Sequence, residues 1–220
     1  MKKALTALLA LGLIAGALNV PAAAKAKAKA TPTTFYLHGS EDVGEVEAQN
    51  AGSGVFMPAD TTKPDASTPK SMNVTNYLVG PNTACSGNSL LPTWRARLAG
   101  TVKGDLTLSL NTVAGPASTI QADIFPDGAG GCDSDLGSTG FVPAVASAQV
   151  DVPPGPGVTE IKFSGVNFKA VGSVVIMLSV PGAPANPSQV RVLYDGAGYE
   201  SSMTLTCTPA KGSKSCVPSA

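Results

Sequence analysis

The chain is poor in the groups that most enzymes and nucleic-acid binders depend on. Of its 220 residues one is histidine, His38, one is tryptophan, Trp94, and aromatic side chains make up only 5%. A Ser-His-Asp hydrolase needs a histidine base, and in one large class its serine sits on a GxSxG elbow. No GxSxG is present, and His38 closes a short β-prone run, so it is expected at the surface or in a turn. HExxH, Walker and dinucleotide-binding motifs are also missing. Glu45 and Glu47 would share one face of a strand, and paired carboxylates can hydrolyse glycosides. They lie in an acidic stretch with Glu41 and Asp42, which reads as solvated. These absences together lead to the expectation that the chain is not an enzyme.

Positive charge is scarce where a folded domain would lie. Fifteen basic residues balance fifteen acidic ones, but Lys2, Lys3, Lys25, Lys27 and Lys29 all precede Thr31. The remainder is acidic, which argues against a nucleic-acid partner, since phosphate contacts call for a basic patch. After residue 20 no apolar run reaches the ~20 residues of a membrane span. The longest, Val171 to Val180, reads as a buried strand. A helical hydrophobic period is absent outside the N-terminus, which excludes a βαβ fold.

What is present begins with Met1-Lys2-Lys3, an apolar run to Val20 and Pro21-Ala22-Ala23-Ala24. That order is expected of a signal peptide over 1–24, with small residues at the cleavage site. A Lys/Ala-rich linker over 25–32 would follow, then one domain over 33–207 and a C-terminal tail over 208–220. The expected location is secreted, either extracellular or associated with the cell envelope. Four cysteines in an exported chain suggest two disulfides. Of the three possible pairings, Cys207 with Cys216, across a short Pro/Gly/Lys/Ser segment, is the expected one, leaving Cys85 with Cys132. Without a CxxC, and with His38 far away, a metal site built on these cysteines is disfavoured.

Alternation carries the fold. Trp94, Ala96 and Leu98 alternate with Arg95 and Arg97, and Leu106, Leu108 and Leu110 alternate with Thr107, Ser109 and Asn111. A period of two places one set on each face of a strand. The Lys103-Gly104-Asp105 stretch between the runs reads as a turn, making a central hairpin around Trp94. Further strands are predicted at 33–38, 73–79, 119–125, 141–152, 158–168, 173–180, 189–195 and 201–207. Residues 39–72 read mainly as a long loop, with Val55-Phe56-Met57 pairing at an edge. Gly (24) and Pro (18) clusters separate the segments. The expected fold is an all-β antiparallel β-sandwich of jelly-roll type with about nine or ten strands.

The run Trp94-x-Ala-x-Leu-x-Gly100, then Gly104-x-Leu-x-Leu-x-Leu, Val158-x-x-Ile-x-Phe, Gly172-x-Val-Val-Ile-x-Leu and Val192-Leu-Tyr-Asp195 resembles jelly-roll, galactose-binding-like accessory domains of bacterial secreted proteins. The resemblance covers roughly Trp94 to Cys207. It implies a β-sandwich with a binding or structural role, often carbohydrate-related, and transfers no site residue. The functional expectation is a secreted non-catalytic binding or adhesion module, directed at a glycan or other cell-surface partner. The alternative is a structural envelope protein without a small ligand. Tyr194, Asp195 and Tyr199, around the Gly196–Gly198 turn, form the candidate exposed ligand set, against a plain packing and turn-capping role. Asp127, Asp133 and Asp135, in a Gly-rich loop around Cys132, are candidate calcium ligands, against a solvated turn. No other cofactor is expected.

Overall fold

A computed structural model describes residues 29–39, 57–74, 93–126, 144–181 and 190–218. All-β is the right class: eleven strands and no helix occur among the described residues. They are β1 (Thr31–Leu37), β2 (Met57–Asp60), β3 (Lys70–Val74), β4 (Thr93–Arg97), β5 (Gly100–Ala114), β6 (Ser118–Pro126), β7 (Ala146–Val152), β8 (Gly155–Ala170), β9 (Ser173–Ser179), β10 (Val190–Tyr194) and β11 (Ser202–Pro209). The predicted signal peptide lies outside the described residues.

The strands form one large sheet in the order β3-β10-β5-β11-β1-β2-β4-β9-β6-β7, with β8 paired to β5 off that path. The sheet is mixed rather than purely antiparallel, because β2 and β4 run parallel. Strand β6 touches β8 and β10, with which it does not pair. The sheet therefore folds back over its own apolar face. All eleven strands contribute to the core cluster that this closure buries.

Alternation dictates which side chains enter that core. In β5, Val102, Leu106, Leu108 and Leu110 are buried between exposed or half-buried polar neighbours, and in β8 Ile161 and Phe163 do the same. In β6, Ile120, Ala122 and Ile124 share the inward face as expected. Strand β9 sits between β4 and β6, with Val174, Ile176 and Leu178 in the main core. Its other face is covered too: Val175 and Met177 pack with Phe125 in a second apolar cluster.

The central hairpin does not form. Strand β4 pairs with β2 and β9, whereas β5 pairs with β8, β10 and β11. Lys103-Gly104-Asp105 is a bulge inside β5, not a turn: the β5–β8 register shifts between Gly104 and Leu106. Gly104 takes φ 107° and Gly165, in the facing stretch of β8, takes φ 68°. Glycine adopts these left-handed conformations without a Cβ penalty, so both strands bend together and the ladder resumes beyond. Of the Val55-Phe56-Met57 stretch, Met57 opens β2, an interior strand between β1 and β4 rather than an edge, while Val55 and Phe56 lie outside the described residues.

Candidate functional site

The ends of β1, β2 and β10 converge on the lone histidine. His38 follows β1 directly, and its backbone N–H donates to Pro58 O at 3.0 Å. Its carbonyl accepts the Trp94 indole N–H at 3.1 Å. The histidine is thus locked from behind by the core tryptophan, whose ring is fully buried and meets Tyr194 edge to face at 5.7 Å.

The imidazole is held between two carboxylates. Nδ1 lies 2.8 Å from Asp195 Oδ1, while Nε2 lies 3.1 Å from Thr62 O and 3.2 Å from Asp60 Oδ1. Nε2 takes Thr62 O as its hydrogen-bond partner, and the Asp60 carboxylate stands beside it as an ion-pair contact. Asp195 Oδ2 accepts from the Gly39 N–H at 3.3 Å and pairs with Lys70 Nζ at 3.1 Å. Asp60 Oδ1 accepts from the Thr62 N–H at 2.7 Å. The result is a continuous chain, Lys70–Asp195–His38–Asp60, running from β3 past the end of β10 to the end of β2.

Local backbone chemistry explains the placement of Asp195. It takes φ 61° immediately after β10, a left-handed conformation that Asp tolerates better than most residues. Next to it, Gly196 runs so close to Pro69 that a Cβ would stand 2.7 Å from the Pro69 Cα. Only glycine fits there, and the Ala197 N–H donates to Ala66 O at 2.9 Å. Burial alone would raise the Asp195 pKa. Hydrogen bonds from His38, Lys70 and the Gly39 N–H, together with the Lys70 charge, more than offset this and hold it below the ordinary carboxylate value.

Asp60 and Thr62 belong to a second feature as well, a groove of about 440 Å³, within the size range of small-ligand sites. Its apolar lining includes Phe35, Met57 and Val217, and its cationic lining is Arg95 and Arg97. The two arginines lie two apart on β4, on the face opposite buried Trp94 and Ala96. The Asp60 side chain is 56% exposed whereas His38 is 15% exposed, so the carboxylate meets the groove and the imidazole stands behind it.

The structure divides the predicted ligand set. Tyr194 is not an exposed platform: it points inward from β10, is fully buried, and its hydroxyl has no hydrogen-bond partner. Burial, and then the Asp195 charge, push its pKa up to about 12. Tyr199 is 43% exposed and stands apart from the groove lining. Asp195 enters the chain of polar groups through His38 rather than through either tyrosine. His38 lies just beyond β1 and is half-buried, so its place at a strand end holds while its ring is engaged by Asp195 and Thr62 rather than open to solvent. Asp60, Thr62 and Lys70 were missed because residues 39–72 read as loop. The available signal was Met57-Pro58-Ala59-Asp60, four residues of alternation too short to separate from chance. Asp127, Asp133, Asp135 and the Cys85–Cys132 pair lie outside the described residues, while the Cys207–Cys216 disulfide is present. Among the described residues no group of three or more His, Cys, Asp or Glu side chains is arranged to hold a metal ion.

No family model and no curated protein matches the chain. Solved structures similar to it include a CocE/NonD family hydrolase from Staphylococcus aureus, at 11% identity and TM-score 0.49, covering 82% of this chain and 37% of that one. An aminopeptidase from the marine sediment archaeon Thaumarchaeota archaeon is similar at 11% identity and TM-score 0.48, covering 80% and 36%. An α-amino acid ester hydrolase is similar at 12% identity and TM-score 0.47, covering 80% and 36%. The chain thus spans little more than a third of these proteins' length. These similar structures are hydrolases, which runs counter to the expectations of a non-catalytic secreted binding or adhesion module, of a structural protein without ligand, and of a chain that is not an enzyme, and those expectations are not carried forward. At this identity and TM-score they assign no activity to this chain, and its chemistry rests on its own residues.

Proposed function

We propose that the groove is a hydrolytic site for a small ester or amide, with Asp60 as the catalytic base. One observation carries this reading: Asp60 is at once a wall of the groove and the end of the Lys70–Asp195–His38–Asp60 chain. A base must stand within reach of substrate and be held in one orientation. The His38 Nε2 and the Thr62 N–H fix the Asp60 carboxylate, and Asp195 fixes His38 in turn. His38 and Asp195 are therefore positioning residues.

The reaction uses water. Asp60 takes a proton from a water molecule as its oxygen attacks the carbonyl carbon. The negative charge gathering on the carbonyl oxygen faces Arg95 and Arg97, which stabilise it electrostatically. Collapse breaks the bond to the leaving group, which receives the proton held by Asp60. Ester and water become acid and alcohol, and Asp60 returns to its starting state. The Cys207–Cys216 bridge supports an oxidising compartment as the working location.

The test is turnover of 4-nitrophenyl esters and aminoacyl 4-nitroanilides by the full chain, compared with Asp60→Asn and His38→Gln. General-base catalysis contributes about 10²–10⁴-fold, so D60N should lose at least a hundredfold in kcat. H38Q should retain part of the activity. A wild-type rate no higher than that of D60N on every substrate would refute the reading.

A further inference from the structure

Residues beyond the last strand line part of the groove, and a disulfide ties the segment that carries them back to that strand. Beyond β11 the chain turns back, and Cys216 is joined to Cys207 of β11. Both sulfur-bearing residues are buried. The Ala99 N–H donates to Cys216 O at 2.8 Å, which stitches the returning segment to the β4–β5 connection. Gly100 lies against the bridge so tightly that a Cβ there would stand 2.7 Å from Cys207 Sγ and 2.9 Å from Cys216 Sγ. Directly after Cys216 come Val217 and Pro218, which line the groove together with Asp60, Arg95 and Arg97. Val217 also packs against the main core, whereas the neighbouring Ser213, Ser215 and Lys214 face solvent.

We propose that the Cys207–Cys216 disulfide fixes the apolar wall of the groove, so that the groove takes an amphipathic anion only while the bridge is closed. This rests on the groove being the substrate site and names the class of molecule it admits. Val217 and Pro218 supply the apolar side, and Arg95 and Arg97 supply charge complementary to a carboxylate or similar anion. A dithiol opens the wall. It transfers two electrons and two protons, the S–S bond breaks to leave two thiols, and the dithiol closes to its own disulfide. Cys216 then retains its backbone hydrogen bond but loses its covalent anchor to β11.

The probe is 8-anilinonaphthalene-1-sulfonate, an apolar ring system with one anionic group, titrated by fluorescence against the full chain. Binding by the oxidised protein should weaken at least tenfold after reduction with dithiothreitol, with the far-UV β signature unchanged. Val217→Ser should weaken binding without touching sulfur, and Arg97→Glu should weaken it by charge. Equal affinity in oxidised and reduced protein, or no effect of R97E, would overturn the proposal, as would a wild type that binds no probe. If reduction unfolds the chain, V217S alone decides: a loss of affinity supports the wall, and an unchanged affinity rejects it. Probe binding requires no turnover, so a groove that binds and gates the dye but hydrolyses nothing refutes only the catalytic reading.

Discussion

Tyr194 combines two properties that proteins rarely tolerate together. Its ring is fully buried against Trp94, and its hydroxyl has no partner. A buried polar group left without a hydrogen bond costs about 1–3 kcal/mol. Tyr194→Phe keeps the ring and removes the orphan, so it should stabilise the protein at neutral pH by about 1 kcal/mol, or ~2–4 °C in Tm for a chain of this size. Burial, followed by the Asp195 charge, pushes the Tyr194 pKa up to about 12, above its value of about 10 in an unfolded chain. The folded state therefore favours the protonated phenol. That contribution is fully present below pH 10 and drains away as the pH rises toward 12, costing about 2–3 kcal/mol over the window. Urea unfolding at pH 7, 10 and 11.5 checks both parts. Y194F should start more stable and show a shallower alkaline decline. Parallel curves for the two proteins would mean that the phenol does not ionise in this environment.

The connection between β10 and β11 depends on Asp195 for its place in the fold. This carboxylate reaches the end of β1 through His38 and Gly39, and β3 through Lys70. Asp195→Asn removes the charge that Lys70 faces and the carboxylate oxygen that His38 Nδ1 meets. Breaking a largely buried pair from one side is strongly destabilising, and with the Asp195 side chain 19% exposed the loss should be about 2–3 kcal/mol. The pH dependence has the opposite sense to that of Tyr194. Asp195 titrates below its unfolded value, so its stabilisation is present above about pH 4 and is lost as the pH falls through and below that range. D195N should flatten the acid limb without abolishing it. The carboxyl of Glu200 is also held low, by the backbone N–H groups of Glu200 and Gly198 and by Lys63 against its desolvation. Thermal melts of both proteins between pH 2.5 and 7 measure the difference, and identical acid limbs would remove Asp195 from the account. The same elements show where sequence reading succeeds and stops. Runs with a clean period of two, such as Leu106 to Leu110 and Ile120 to Ile124, reveal both strand and buried face because burial on one side enforces the alternation. Lys103-Gly104-Asp105 carries turn chemistry in full, yet Leu106 finds a partner in Phe163 of β8 and the ladder continues through a bulge. Which strand lies opposite is a property of the whole sheet, not of the local run. His38, Asp60, Lys70 and Asp195 are dispersed in sequence and meet only because the ends of β1, β2 and β10 lie beside the start of β3, so no spacing between them marks the site.

Across the whole molecule, two features bear on whether the halves of the sheet unfold together. Strand β5 pairs with β8 along one edge and with β10 and β11 along the other, so its fifteen residues join strands from distant parts of the chain. The core cluster draws side chains from all eleven strands, and no strand retains a separate core if β5 lets go. Against this stands the small second cluster of Phe125, Val175 and Met177, which lies on the outer face of β6 and β9 and is too small to sustain those strands alone. Single-core domains usually unfold in one cooperative step. Trp94 reports the β2–β4–β9 region, whereas far-UV circular dichroism reports every strand. The expected outcome is one urea transition with coincident midpoints for tryptophan fluorescence and circular dichroism in the oxidised protein. A fluorescence midpoint clearly below the circular dichroism midpoint would show that the part holding β2, β4 and the groove opens as a unit of its own. The polar chain from Lys70 to Asp60 would then span a boundary between two cooperative units rather than the rim of one.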